Sequence, residues 1–77
     1  KDLALARTHY LAAAEKGNAK AMHNLAVLYA EGIDGRRDYK TASRWFQRAA
    51  ERGIADSQYN LAVLLMRGIG IDQSHQE

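Results

Sequence analysis

Three histidines, two matched glutamates, a row of arginines and one glycine pair are the residues of this chain whose types could do chemistry. His9, His23 and His75 stand far apart, none has a histidine partner at metal-binding spacing, and there is no cysteine to complete a zinc set. His9 therefore reads as a packing residue, His23 as groove-facing or solvated, and His75 as part of a frayed end. Glu15 and Glu51 are the right type for an acid–base pair. Both, however, sit in the same local sequence, Ala-Ala-Glu-Lys/Arg-Gly. A catalytic pair needs unlike environments to push its two pKa values apart. These two read as solvated or turn-stabilising carboxylates. Arg44, Arg48 and Arg52 are spaced i, i+4, i+8, which lines them along one face of a helix. Such a row is either a solvated outer face, the favoured reading, or a site for phosphate or an acidic partner. Gly68-Ile69-Gly70 lacks the third glycine and the preceding strand of a dinucleotide loop, so it reads as a turn. There is no nucleophile elbow and no Gly-Lys-Ser/Thr phosphate loop. No enzyme activity, catalytic residue, metal or cofactor is expected.

The elements that carry these residues repeat. Ala13-Ala14-Glu15-Lys16-Gly17 returns as Ala49-Ala50-Glu51-Arg52-Gly53, and Asn24-Leu25-Ala26-Val27-Leu28 returns unchanged as Asn60-Leu61-Ala62-Val63-Leu64. The offset is 36 residues, and 12 of the 21 positions from 13 to 33 equal their partners. A period of this size marks stacked supersecondary units and favours binding over catalysis. A chain of 77 residues builds a core worth only about 3–5 kcal/mol without staples, and with no cysteine there is no disulfide. The net charge of +2 is too weak to argue for nucleic acid or a membrane surface. No apolar run approaches the roughly 20 residues of a membrane span, so no insertion by this segment is expected. The chain does not open on Met and reads as a segment of a longer one, which leaves its compartment open.

Apolar residues recur at helical spacing: Ala19, Met22, Leu25, Ala26, Leu28 and Tyr29, then Ala42, Trp45, Phe46, Ala49 and Ala50. The absence of proline and the wealth of Ala, Leu and Arg agree. The spacing predicts helices over about 3–16, 19–31, 39–52 and 55–67, with a fifth beginning after Ser74. Gly17, Gly53, Gly32 and Gly68 close helices as left-handed residues, and Asp2, Asp38 and Ser74 are the expected N-caps. Two-residue turns at 17–18 and 53–54 make neighbouring helices antiparallel. Ala13, Ala14, Ala26, Ala42, Ala49, Ala50 and Ala62 would let the backbones approach, while Leu25, Leu28, Tyr29, Phe46, Leu61 and Leu64 fill the layers between.

The segment from Ala19 to Gly32, then Asp38-Tyr39-Lys40-Thr41-Ala42, then Trp45 to Gly53, closely resembles a Sel1-like repeat, a cousin of the tetratricopeptide repeat. The resemblance covers nearly the whole chain. It implies an all-α fold, an α-solenoid of antiparallel helix pairs wound as a right-handed superhelix. In that register 1–17 is helix B of a preceding repeat, 18–53 one complete repeat, and 54–77 part of the next. Two positions depart from the pattern. The family's Gly-x-Gly is intact at 68–70 but reads Gly32-Ile33-Asp34 in the first copy, where Asp tolerates a left-handed backbone. His9 stands where the second copy has Trp45, which predicts a looser contact. Residues 20–35 are also similar to repeats in alphaproteobacterial polarity and localisation factors, whose repeat region is periplasmic, so the resemblance extends to the cell envelope.

In the tetratricopeptide architecture, helix A lines the concave groove. Carried over, the partner-binding residues are Lys20, His23, Asn24, Val27 and Glu31, with Ala30 beside them. From the second copy they are Asp56, Tyr59, Asn60, Val63 and Arg67, with Met66 beside them. Asn24 and Asn60 are identical among varied neighbours. An amide donates and accepts, so it can clamp an extended peptide backbone; alternatively it secures the turn or a layer boundary. The resemblance thus implies a non-catalytic interaction scaffold for a protein or peptide partner. An accessory glycan-binding region is weaker, with Tyr59 its one stacking aromatic, and a structural spacer is the third reading. Leu3, Leu5 and Met66 would be exposed at uncapped ends, making self-association possible.

Overall fold

Helix ends in this chain are set by a few residues that satisfy the backbone groups a helix leaves unpaired. In the computed structural model, which describes residues 3–32 and 36–67, the helices are α1 (Leu3–Glu15), α2 (Ala19–Glu31), α3 (Tyr39–Glu51) and α4 (Ala55–Arg67). The side chain of Arg67 is outside the description. So are the expected caps Asp2 and Ser74, the turns at Asp34 and 68–70, His75 and the fifth helix.

The two short turns are the same object built twice. After α1, the Asn18 N–H donates to the Ala13 carbonyl at 3.1 Å and the Gly17 N–H to Ala14 at 2.9 Å. After α3, Ile54 donates to Ala49 at 3.1 Å and Gly53 to Ala50 at 2.9 Å. This is the Schellman arrangement, which needs a left-handed residue. Gly17 and Gly53 supply it at φ 98° and 92°. Asp38 caps α3 as expected: its Oδ1 accepts from the Thr41 N–H at 3.0 Å and its Oδ2 from the Thr41 hydroxyl at 2.8 Å. Those two bonds, in that order, hold the Asp38 carboxyl below its ordinary pKa. Asn18 is a cap the sequence reading did not single out; its Oδ1 accepts from the Ala21 N–H at 3.0 Å.

Each helix packs on its chain neighbour, α1 on α2, α2 on α3 and α3 on α4. Two adjoining cores result. The first gathers Ala14, Ala21, Met22, Leu25 and Ala49 across α1, α2 and α3. The second gathers Ala26, Ala42, Phe46 and Leu64 across α2, α3 and α4. Tyr29 and Trp45 pack against both. Small residues at Ala14, Ala26, Ala42 and Ala49 are fully or almost fully buried, which lets the helices lie close. Leu25, Phe46 and Leu64 are buried as the fillers between layers, while Leu28, Tyr29 and Leu61 are only half covered. Ala62 corrects the expectation: it is exposed, because no described helix covers that side of α4. His9 is exposed too, so it is not a packing residue. The architecture is an all-α stack of antiparallel hairpins, each burying its apolar face on the next.

Candidate interaction surfaces between repeats

Between α2 and α4, the two A helices, lies an apolar groove of about 250 Å³. Val27 and Ala30 form one wall, Val63 and Leu64 the other, and Phe46 of α3 lies beneath. Glu31 and Asn60 add the polar groups at its edge. The groove exists because α2 and α4 each pack on α3, with Phe46 filling the space between them.

The expected partner-binding residues divide around it. Val27, Glu31, Asn60 and Val63 come together in the groove. Lys20 and Asp56 are exposed in the first turns of their helices and do not line it. Tyr59 is 70% exposed and stands apart. Asn24 is half-buried outside the groove. It holds on α2 the repeat position that Asn60 holds on α4. Neither amide is hydrogen-bonded to another described residue, so neither secures a turn.

His23 is not free. Its Nδ1 shares a hydrogen bond with Ser57 Oγ at 2.6 Å, and its ring lies tilted against Phe46 with centroids 5.6 Å apart. Ser57 is fully buried. The pair ties α2 to α4 and satisfies a hydroxyl that would otherwise be buried unpaired. It resembles a Ser–His catalytic pair in residue type alone, because no substrate reaches a buried Ser57.

Between α1 and α3, the B helices, the surface is polar. A hollow of about 430 Å³ is lined by Glu15, Trp45, Arg48, Glu51 and Arg52 with Met22 at its base. Glu15 and Glu51 both line it and both are exposed. Arg44, Arg48 and Arg52 are all exposed, and two of them also make contacts within the chain. Arg52 Nη1 donates to the Gly17 carbonyl at 2.9 Å, joining one turn to the next. The Arg48 guanidinium lies 4.9 Å from the centroid of the Trp45 ring.

Antiparallel helix pairs repeated at a fixed period, with one groove per pair of A helices, define an α-solenoid of the tetratricopeptide type. The Sel1 repeat model matches residues 1–18, 19–54 and 55–77, and the chain belongs to that family. Sel1 repeats generally act as non-catalytic protein-interaction modules. No curated protein and no solved structure matches the chain. No helix among the described residues is long and apolar enough to cross a membrane.

Proposed function

We propose that this chain is a scaffold module whose groove between α2 and α4 holds an extended segment of a protein partner. The groove itself carries the proposal: apolar walls beside an Asn60 amide that no described residue engages. Apolar walls take alternate side chains of an extended peptide, while an amide pairs with its backbone N–H and C=O. Lys20, Asn24, Asp56, Tyr59 and Arg67 then belong to a wider contact along the A helices. Their variation between copies, Lys20 against Asp56 and Glu31 against Arg67, supplies partner choice. Leu3, Leu5 and Met66 are exposed, which favours self-association through the solenoid ends as a further part of the proposal. A setting in cell polarity or the envelope rests on the resemblance of residues 20–35 alone.

The test is affinity capture with the Asn24→Ala, Asn60→Ala double variant beside the unaltered chain. Loss of the captured partner with helical circular dichroism retained is the expected result. Equal recovery of the partner would sink the groove as the site.

A further inference from the structure

The groove makes no use of the arginine row, and the fold separates its three members. Arg52 is engaged by the Gly17 carbonyl. Arg44 and Arg48 remain exposed, one turn apart on α3. With Trp45 and Gln47 they line a hollow of about 490 Å³ that runs along α3 from Thr41 to Glu51. We propose that this hollow is a second docking surface that takes an acidic segment of a protein partner. A carboxylate would bridge Arg44 and Arg48 while its methylenes rest on Trp45.

Three observations carry this. First, Arg48 is stacked on the Trp45 ring, with its guanidinium carbon 4.9 Å from the centroid. That contact restrains the guanidinium beside the hollow that both residues line. A planar fork held in advance loses less freedom when it pairs with a carboxylate. Second, the helix does not need the two arginines, which are exposed, while Trp45 rests its inner side on the cores. The equivalents of Arg44, Trp45 and Arg48 in α1 are Thr8, His9 and Ala12, and α1 forms the same length of helix with the same closing turn. Third, the charges are laid out with a direction. Asp38 lies near enough to Arg44 for their charges to interact, but it is bound to the Thr41 N–H and hydroxyl. Glu51 stands at the far end of the hollow and, with Glu15, lines the neighbouring hollow beyond Trp45. An acidic group is thus drawn to the Arg44–Arg48 edge and repelled from the Glu51 end.

Trp45 is the only tryptophan, so its emission reports directly on this surface. The probes are an N-acetylated, C-amidated hexaglutamate peptide and an uncharged Gly-Ser peptide of equal length, each titrated at low salt. Hexaglutamate is expected to change Trp45 emission saturably and the Gly-Ser peptide to leave it unaltered. The Arg44→Gln, Arg48→Gln double variant should bind hexaglutamate about five- to tenfold more weakly, from two partly exposed charge pairs. Arg48→Lys keeps the charge but not the planar fork and should fall in between. Arg36→Gln with Arg37→Gln, away from the hollow, should bind as the unaltered chain does. No response to hexaglutamate, an equal response to the Gly-Ser peptide, or undiminished binding by the double variant overturns the proposal.

Discussion

The groove between the A helices and the surface along the B helices differ in which residues build them. The A-side groove uses Val27 and Val63, equivalent positions in the two copies, with Asn60, the equivalent of Asn24. The B-side surface uses Arg44, Trp45 and Arg48, which the first copy replaces with Thr8, His9 and Ala12. The valines and the amide of one surface are thus what both copies carry, with variation at its edge in Glu31 against Arg67, and the other surface is what a single copy owns. Repetition of a solenoid extends the first kind along the stack. The second kind stays local, so it can add a contact without altering the groove. Adjacent residues of α3 show the division: Phe46 lies under the groove, and Trp45 faces the arginines.

The largest effect is expected from Phe46→Ala. Phe46 is buried in the second core and lies beneath the groove, and such truncations cost about 3–5 kcal/mol. That is comparable with the whole stability of a chain this size, so urea denaturation should find the variant largely unfolded. Next comes His23→Ala, which leaves the buried Ser57 hydroxyl without its partner at a cost of about 1–3 kcal/mol. Ser57→Ala leaves only the Nδ1 of His23, a half-buried ring, without its partner and should cost less. Equal losses in chemical denaturation would contradict the clamp between α2 and α4.

Asp38→Ala should cost about 1 kcal/mol through the lost N-cap. The folded pKa of Asp38 is lowered, so its contribution is present above the ordinary value of 3.8 and fades as pH falls through the lower folded value. Asp38→Asn should keep most of the cap and flatten that acid dependence in thermal melts. The smallest effect is Arg52→Ala, about 0.5–1 kcal/mol, because its bond to the Gly17 carbonyl is exposed. Its loss should raise hydrogen exchange at the 17–18 turn more than elsewhere.

The helices were legible because local rules set them. Each end fell within one residue of the expected place, and the two Gly-closed turns have matching bonds in both copies. Asn18 escaped as a cap because the second copy has Ile54 there, which packs on the first core instead. The cross-repeat ties were not legible. His23 meets Ser57 across 34 residues and Arg52 meets Gly17 across 35, and no local spacing announces either pair. For the same reason Arg52 read as one member of a uniform stripe. The groove residues were legible as positions on helix A. Which of them share one groove depends on how α2 and α4 are set against α3, and that setting left Tyr59 and Lys20 outside it.

The proposed occupancy of the groove between α2 and α4 by a protein partner is best tested at its apolar wall. Val63→Asp places a charge on its apolar wall while leaving the B-side arginines untouched. The direct measurement is the affinity of this variant for the partner captured by the unaltered chain, with helix content checked by circular dichroism. Affinity is expected to be about tenfold weaker or worse, a loss of at least about 1.4 kcal/mol, with helix content retained. Unchanged affinity for a folded Val63→Asp variant would contradict the proposed occupancy.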